Sequence, residues 1–467
     1  MPHFLYQNVY SRYKYYQKLT SGALERGASQ QLAVPDHIVP SYLFILHGEK
    51  IKEEAAQGKR LTQGSVVTIF SIWNTLMGSS ILSMPWAIQQ SGWALAIFLV
   101  VFVGSVCLYT AILICRVGDH HRYVQNAIDW SDIVLEHLGR PGHVANTFFS
   151  ILTLGGACLV YWVLMSNFLF KTVALFISSK PVIPTMELGA HHESGETWWW
   201  SLKTAPIFLV LLLLPAINMK EMTLFTKFNS LGVVSIVYIL IFALQNLTTG
   251  FSLSEPDGTP MPLYSGKFPA MTGVLFLSFF VHNMVLAILR NNEHQDKNVR
   301  DISIAFGCTA MTYLLVGVTF FIAYKGFHKD IPSNILDSFG SDNYWALVCR
   351  VFLLFQIITV YPLICFVIRI QVFQVMYGQD YPGPGPVFTL NTIIVTCCVL
   401  TAIFYANVGS ILKWTGAVSG TICVFILPIG VWLSVQKRRN QLTKMSFVGH
   451  GVLVLLAVMN FVAQFFV

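Results

Sequence analysis

An apolar stretch of membrane length, 66–90, carries Asn74-Thr75-Leu76-Met77-Gly78-Ser79-Ser80 at its centre, and this constrains the chain more than any other feature. Hydrocarbon offers no hydrogen bonds. A backbone that leaves helix geometry at membrane depth survives only where protein buries it or a watery cavity bathes it. A small, polar break inside an apolar span therefore predicts a binding site within a helical bundle. Ten further apolar stretches follow, at 93–116, 147–178, 204–217, 231–250, 271–290, 301–324, 344–370, 387–405, 411–434 and 446–466. Most reach the roughly 20 residues that cross a bilayer. The fourth is short, ends at Pro215 and Asn218, and has Trp198-Trp199-Trp200 before it as expected interfacial aromatics. The predicted fold is all-α: an integral membrane protein of about eleven transmembrane helices. Only 11% of the residues are charged, where a soluble domain carries about 25%. The net charge of +7 is spread over short connections and is no nucleic-acid footprint.

Lysine and arginine set the expected orientation. With the N-terminus in the cytosol, that side receives twenty-one basic residues and the far side six. Two regions are expected: 1–65, a flexible cytosolic partner-binding segment without an apolar leader, and 66–467, the transmembrane domain. The nine cysteines lie in or beside apolar segments, without metal spacing, and read as small buried hydrophobes. Asn246 opens a sequon at the end of span five, too near the bilayer to favour glycosylation.

No HExxH, GxSxG or glycine-rich phosphate loop occurs, and no Asp or Glu sits mid-span. The chain is not expected to be an enzyme or to use a carboxylate proton relay. At the first-span break, Gly78, Ser79 and Ser80 favour departure from the helix. Freed amides at the start of the following half-helix suit a carboxylate, and freed carbonyls with Asn74 suit a hard cation such as Na⁺. Close packing of small residues is the plainer alternative. If spans 1–5 and 6–10 form two halves, span six begins the second with its own polar interior, Ser278 to Asn283, as an inverted repeat with broken spans one and six would. His282 reads either as a substrate contact or as a gating or packing residue. Thr359 in span eight is a candidate cation ligand, or bonds its own helix. Tyr161, Ser166 and Asn167 in span three line the same cavity or simply pack.

The run Trp73-Asn74-Thr75-Leu76-Met77-Gly78-Ser79-Ser80-Ile81-Leu82-Ser83-Met84-Pro85-Trp86 resembles the first helix of the sodium-coupled neutral amino acid transporters, within the amino acid/auxin permease group. Runs at 161–170, 280–283, 298–301 and 352–356 are similar to the lysosomal, arginine-sensing branch of that family. The resemblance implies an inverted five-plus-five repeat and amino acid transport across the lysosomal and late endosomal membrane. It implies substrate contacts from Thr75, Met77, Gly78, Ser79 and Ser80, with Asn167 and His282 as further candidates, and Asn74 with Thr359 at a sodium position. It also implies that the N-terminal region engages Rag GTPases and Ragulator, and so the growth kinase complex mTORC1. Tyr13, Tyr16 and Leu19 match one contact group, and Pro35 and Pro40 the other. The N-terminus is shorter than the family pattern, and the far-side loop 179–203 has neither the sequon nor the cysteine of that pattern. A guanidinium finds no mid-span carboxylate here to pair with bidentately. Leucine and other neutral or apolar amino acids are therefore expected as substrates, with arginine as effector. A plain sodium- or proton-coupled permease and a non-transporting sensor are the alternatives.

Overall fold

The computed structural model describes residues 63–124, 130–177, 199–219, 232–249, 262–289, 292–323, 331–340, 343–378 and 381–467. Tyr13, Tyr16, Leu19, Pro35 and Pro40 lie outside the described residues. The helices are α1 (Ser65–Leu76), α2 (Met84–Ser91), α3 (Trp93–Val124), α4 (Trp130–Ile177), α5 (Ala205–Ile217), α6 (Gly232–Thr249), α7 (Phe268–Ser278), α8 (Val285–Leu289), α9 (Asn298–Ala323), α10 (Tyr344–Tyr377), α11 (Pro384–Phe404), α12 (Val408–Ser419), α13 (Leu427–Arg438) and α14 (Lys444–Ala463). Read in order they give the eleven expected spans. Span one is α1 and α2, bent by 54° at their junction. Span six is α7 and α8, interrupted at 279–284. Span ten is α12 and α13, joined by a π-helical segment, Gly420–Ile426. The chain is a multi-pass membrane protein.

Three local readings change. Span two runs on to Val124, and the helix of span three starts at Trp130 rather than near 147. The added piece is amphipathic. Trp130, Ile133 and Val134 are buried, while Glu136 faces Arg438 at 3.5 Å. Its charges hide it from a search for apolar runs. Gly139, at φ 69°, turns the chain into the membrane portion. The third change is at Trp200, which is buried, with its indole N–H donating to the Phe170 carbonyl at 3.4 Å. The fourth span starts at Ala205 and does not extend back to the tryptophans.

Packing follows the two halves. Span one lies on span seven, and span six on span two. Spans three and eight pack against each other, span three also on span ten and span eight on span five. Lipid is as apolar as the protein interior, so close backbone approach and polar ties, more than burial of oil, select these contacts. The tightest is α7 on α12, where Gly273 and Gly416 meet backbone to backbone. A Cβ on either would run into the other helix's main chain. Thr272 donates to Asn460 of α14, and the Gln464 amide donates to the Pro269 carbonyl at 2.6 Å. Residues 331–340, between spans seven and eight, cover the same end of the bundle. Arg350 donates to the carbonyls of Leu336 (2.7 Å) and Phe339 (2.6 Å), and Lys171 pairs with Asp337 at 3.2 Å. The Ser83 hydroxyl donates to the Ser333 carbonyl at 2.5 Å, and the Ile331 amide donates to the Gln89 side chain at 2.9 Å.

Candidate functional site

The helix of span one stops at Leu76. The Met77 amide still donates to the Trp73 carbonyl at 2.9 Å, and the Gly78 amide then turns back to the Leu76 carbonyl at 2.9 Å. A 3-10 turn, Ser79–Ser83, follows before α2. Among the described residues the Ser79 and Ser80 amides take no backbone acceptor. They are the unsatisfied donors at the start of a new helical segment, where an anion is best received. Gly78 sits at φ −96°, open to any residue. Space does not demand glycine either, because a Cβ would make an ordinary contact 3.7 Å from the Tyr161 hydroxyl.

A cleft opens beside this turn. Met77, Gly78, Ser79, Ile81 and Leu82 of span one form one wall, and Tyr161 of α4, Ile236 and Ile239 of α6, and Leu353, Gln356, Ile357 and Val360 of α10 form the others. Its cavity volume is about 30 Å³, enough for roughly two water molecules and too small for an amino acid. The walls are aliphatic except for the amides, Tyr161 and Gln356. The side-chain amide oxygen of Gln356 is buried without a partner.

The sequence-predicted residues divide. Met77, Gly78 and Ser79 line the cleft. Ser80 turns away, its hydroxyl 3.1 Å from that of Tyr313. The Thr75 hydroxyl donates to the Ser71 carbonyl of its own helix at 2.7 Å. Asn167 is not part of the lining. His282 is fully buried against span two, with Nε2 2.9 Å from the Thr110 hydroxyl and 3.1 Å from the Cys107 carbonyl. The two sodium candidates differ in what their oxygens do. Asn74 Oδ1 is buried with no partner, as a waiting ligand would be. The Thr359 hydroxyl donates to the Gln356 carbonyl at 2.7 Å, which leaves its lone pairs free. Neutral oxygens of this kind fit a monovalent cation. Asn246 is buried and donates to the Phe242 carbonyl at 2.7 Å, so its amide is not presented for glycosylation.

Sequence reasoning missed Tyr313 of α9. Its buried hydroxyl donates to the Leu76 carbonyl at 2.6 Å and reaches the Ser278 carbonyl at 3.3 Å. These are the last residues of α1 and α7, so a single phenol ties both helix breaks together. Its only sequence signal was a tyrosine in mid-span, among the threonines of span seven.

Two interrupted spans meeting at one tyrosine, beside a cleft in an eleven-span bundle, define a membrane transporter of the inverted-repeat class. The family comparison agrees: the chain belongs to the transmembrane amino acid transporter family, whose description matches residues 62–467. It is 37% identical to the sodium-coupled neutral amino acid transporter 9 homolog of Caenorhabditis elegans, over 97% of this chain and 80% of that one. It is 36% identical to neutral amino acid transporter 9 of Danio rerio, over 98% and 90%. Among solved structures it is similar to MhsT in complex with L-phenylalanine, with TM-score 0.54 and 14% identity over 85% of this chain and 97% of that one. That likeness concerns the fold.

Proposed function

We propose that this chain moves neutral or apolar amino acids, leucine among them, across the lysosomal and late endosomal membrane, and that it reports amino acid sufficiency, above all arginine, to mTORC1. The observation that carries transport is the unbonded amide of Ser79 at an aliphatic cleft, with the unbonded amide of Ser80 next to it in the chain. A substrate carboxylate docks on the amides, and an uncharged side chain lies among Ile236, Ile239, Leu353 and Ile357. Na⁺ would be held by Asn74 and Thr359, where it would supply positive charge beside the carboxylate. The N-terminus faces the cytosol in this reading, and residues 1–65 bind Rag GTPases and Ragulator through Tyr13, Tyr16, Leu19, Pro35 and Pro40.

The signalling half is supported by where similarity extends. The family description begins at residue 62, yet the named relatives match 97–98% of the chain and so include most of the segment before it. A plain permease needs no such segment. The test is flux of labelled leucine and arginine in proteoliposomes, with and without Na⁺, alongside Rag GTPase capture by the full chain and by the chain lacking residues 1–62. Transport that survives the deletion while capture is lost supports both halves. Capture that responds to arginine without measurable flux would favour a sensor. Unchanged capture after the deletion sinks the signalling assignment.

A further inference from the structure

Two arginines on α10 are almost fully buried, Arg350 at 0% and Arg369 at 2% exposure. Arg350 spends its guanidinium on main-chain carbonyls. Arg369 does not. Its Nε and Nη1 are buried without a hydrogen-bond partner, and among the described residues no carboxylate pairs with it. Among the described residues the guanidinium lies over the faces of Phe366, 4.7 Å from its carbon, and Tyr381, 5.9 Å away. Ring faces offset only a small part of the cost of burying a cation. A buried guanidinium with idle donors is a site whose anion has still to be supplied.

Its place in the fold indicates which anion. Arg369 lies nine residues beyond Val360, about 14 Å further along α10 and half a turn round it, so it faces away from the cleft. It is therefore not a substrate contact. Span eight runs back toward the side on which span one starts, which puts Arg369 near the bundle end on that side. Tyr381 leads directly into α11, whose N-terminus at Pro384 has no side-chain cap. No atom lies within 4 Å of where a Cβ would stand on Gly383 or Gly385, so the turn Pro382-Gly383-Pro384-Gly385-Pro386 borders open space. At the start of α11 Pro384 and Pro386 have no N–H and the Val387 amide donates to the Gly383 carbonyl at 3.4 Å, so the guanidinium carries the preference, and a planar guanidinium prefers oxyanions to spherical ions.

We propose that Arg369 binds a phosphate oxyanion at the end of the bundle where span one begins. Two sources share that chemistry: the phosphodiester of an anionic lipid and free inorganic phosphate. Basic pockets between spans are common stations for anionic headgroups.

The test uses the full chain in nanodiscs of phosphatidylcholine alone or phosphatidylcholine with phosphatidylglycerol. Lipid adducts are read by native mass spectrometry and the melting midpoint by scanning fluorimetry. Phosphatidylglycerol adducts should persist on the native chain and raise its midpoint. Arg369→Gln should weaken retention by about tenfold, the worth of one charge-assisted bidentate contact. Arg439→Gln, an exposed charge in the connection between α13 and α14, should leave retention unchanged. Arg369→Gln removes a buried charge, so it is expected to fold. A midpoint raised by inorganic phosphate in phosphatidylcholine alone, and lost in Arg369→Gln, assigns the site to the free anion. Equal adducts and equal midpoints for native and Arg369→Gln chains in both lipids and in phosphate would overturn the proposal.

Discussion

Exchanging the two halves of the bundle maps span six on span ten onto span one on span five, yet these interfaces differ. Most other pairings survive the exchange. Span one on seven mirrors six on two, and three on ten mirrors eight on five. The α7–α12 contact, however, is closed down to the backbone at Gly273 and Gly416, while α1 and α6 hardly touch and the cleft lies between them. Alternate spans run in opposite directions, so the two interfaces sit at opposite ends of the bundle. The end away from the start of span one is sealed by glycine contact, by Asn460 and Gln464 of span eleven, and by residues 331–340. The other end is loosened. A nearly two-fold molecule with one such pair shut and its mate parted is caught in one of two alternative states. In the opposite state α1 would close on α6, and α7 would leave α12.

This comparison can be broken in four ways. Ser79→Trp should have the largest effect, filling the space between α1 and α6 and blocking the amides. We expect amino acid flux in proteoliposomes to fall to background while the protein still inserts and melts cooperatively; substantial flux would mean the cleft is not the path. Gly416→Leu should come next, because overpacking costs about 1–3 kcal/mol and here falls on the closed interface alone. Flux should drop about tenfold or more, and cysteines placed on the far-side ends of α7 and α12 should become more reactive to thiol reagents. Unchanged reactivity would show that the glycine contact is no seal. Asn74→Ala should raise the Na⁺ concentration for half-maximal flux by about tenfold, the loss of roughly one ligand's worth of binding; flux without any Na⁺ dependence in the native chain would remove the cation from the account. Tyr313→Phe should act most mildly. It deprives the Leu76 and Ser278 carbonyls of a donor, costing about 1–3 kcal/mol of stability, and should appear as a lower melting midpoint with partial flux retained. A native-like midpoint would mean that the two breaks are not held together through this hydroxyl.

Much of the architecture was legible in the sequence, because lipid imposes one rule on every span. Apolar length marked where the chain crosses, and the polar run Asn74–Ser80 marked where the first crossing breaks. Met77, Gly78 and Ser79 line the cleft beside that break. Other readings went differently for local reasons. The start of α4 was hidden by Asp132, Glu136 and Arg140. Trp200 looked interfacial and is a packing residue. Tyr313 showed in the sequence only as a tyrosine in span seven, because its partners, the Leu76 and Ser278 carbonyls, belong to helix ends far away in sequence. Composition and periodicity thus determined that this chain spans a membrane, how often, and where its first span breaks. Only the tertiary structure decided that both breaks meet at one tyrosine, that His282 faces span two rather than the cleft, and which end of the bundle is shut. A sequence records the polarity of each segment, but closing a bundle depends on which backbones approach, and that is fixed by contacts between spans hundreds of residues apart.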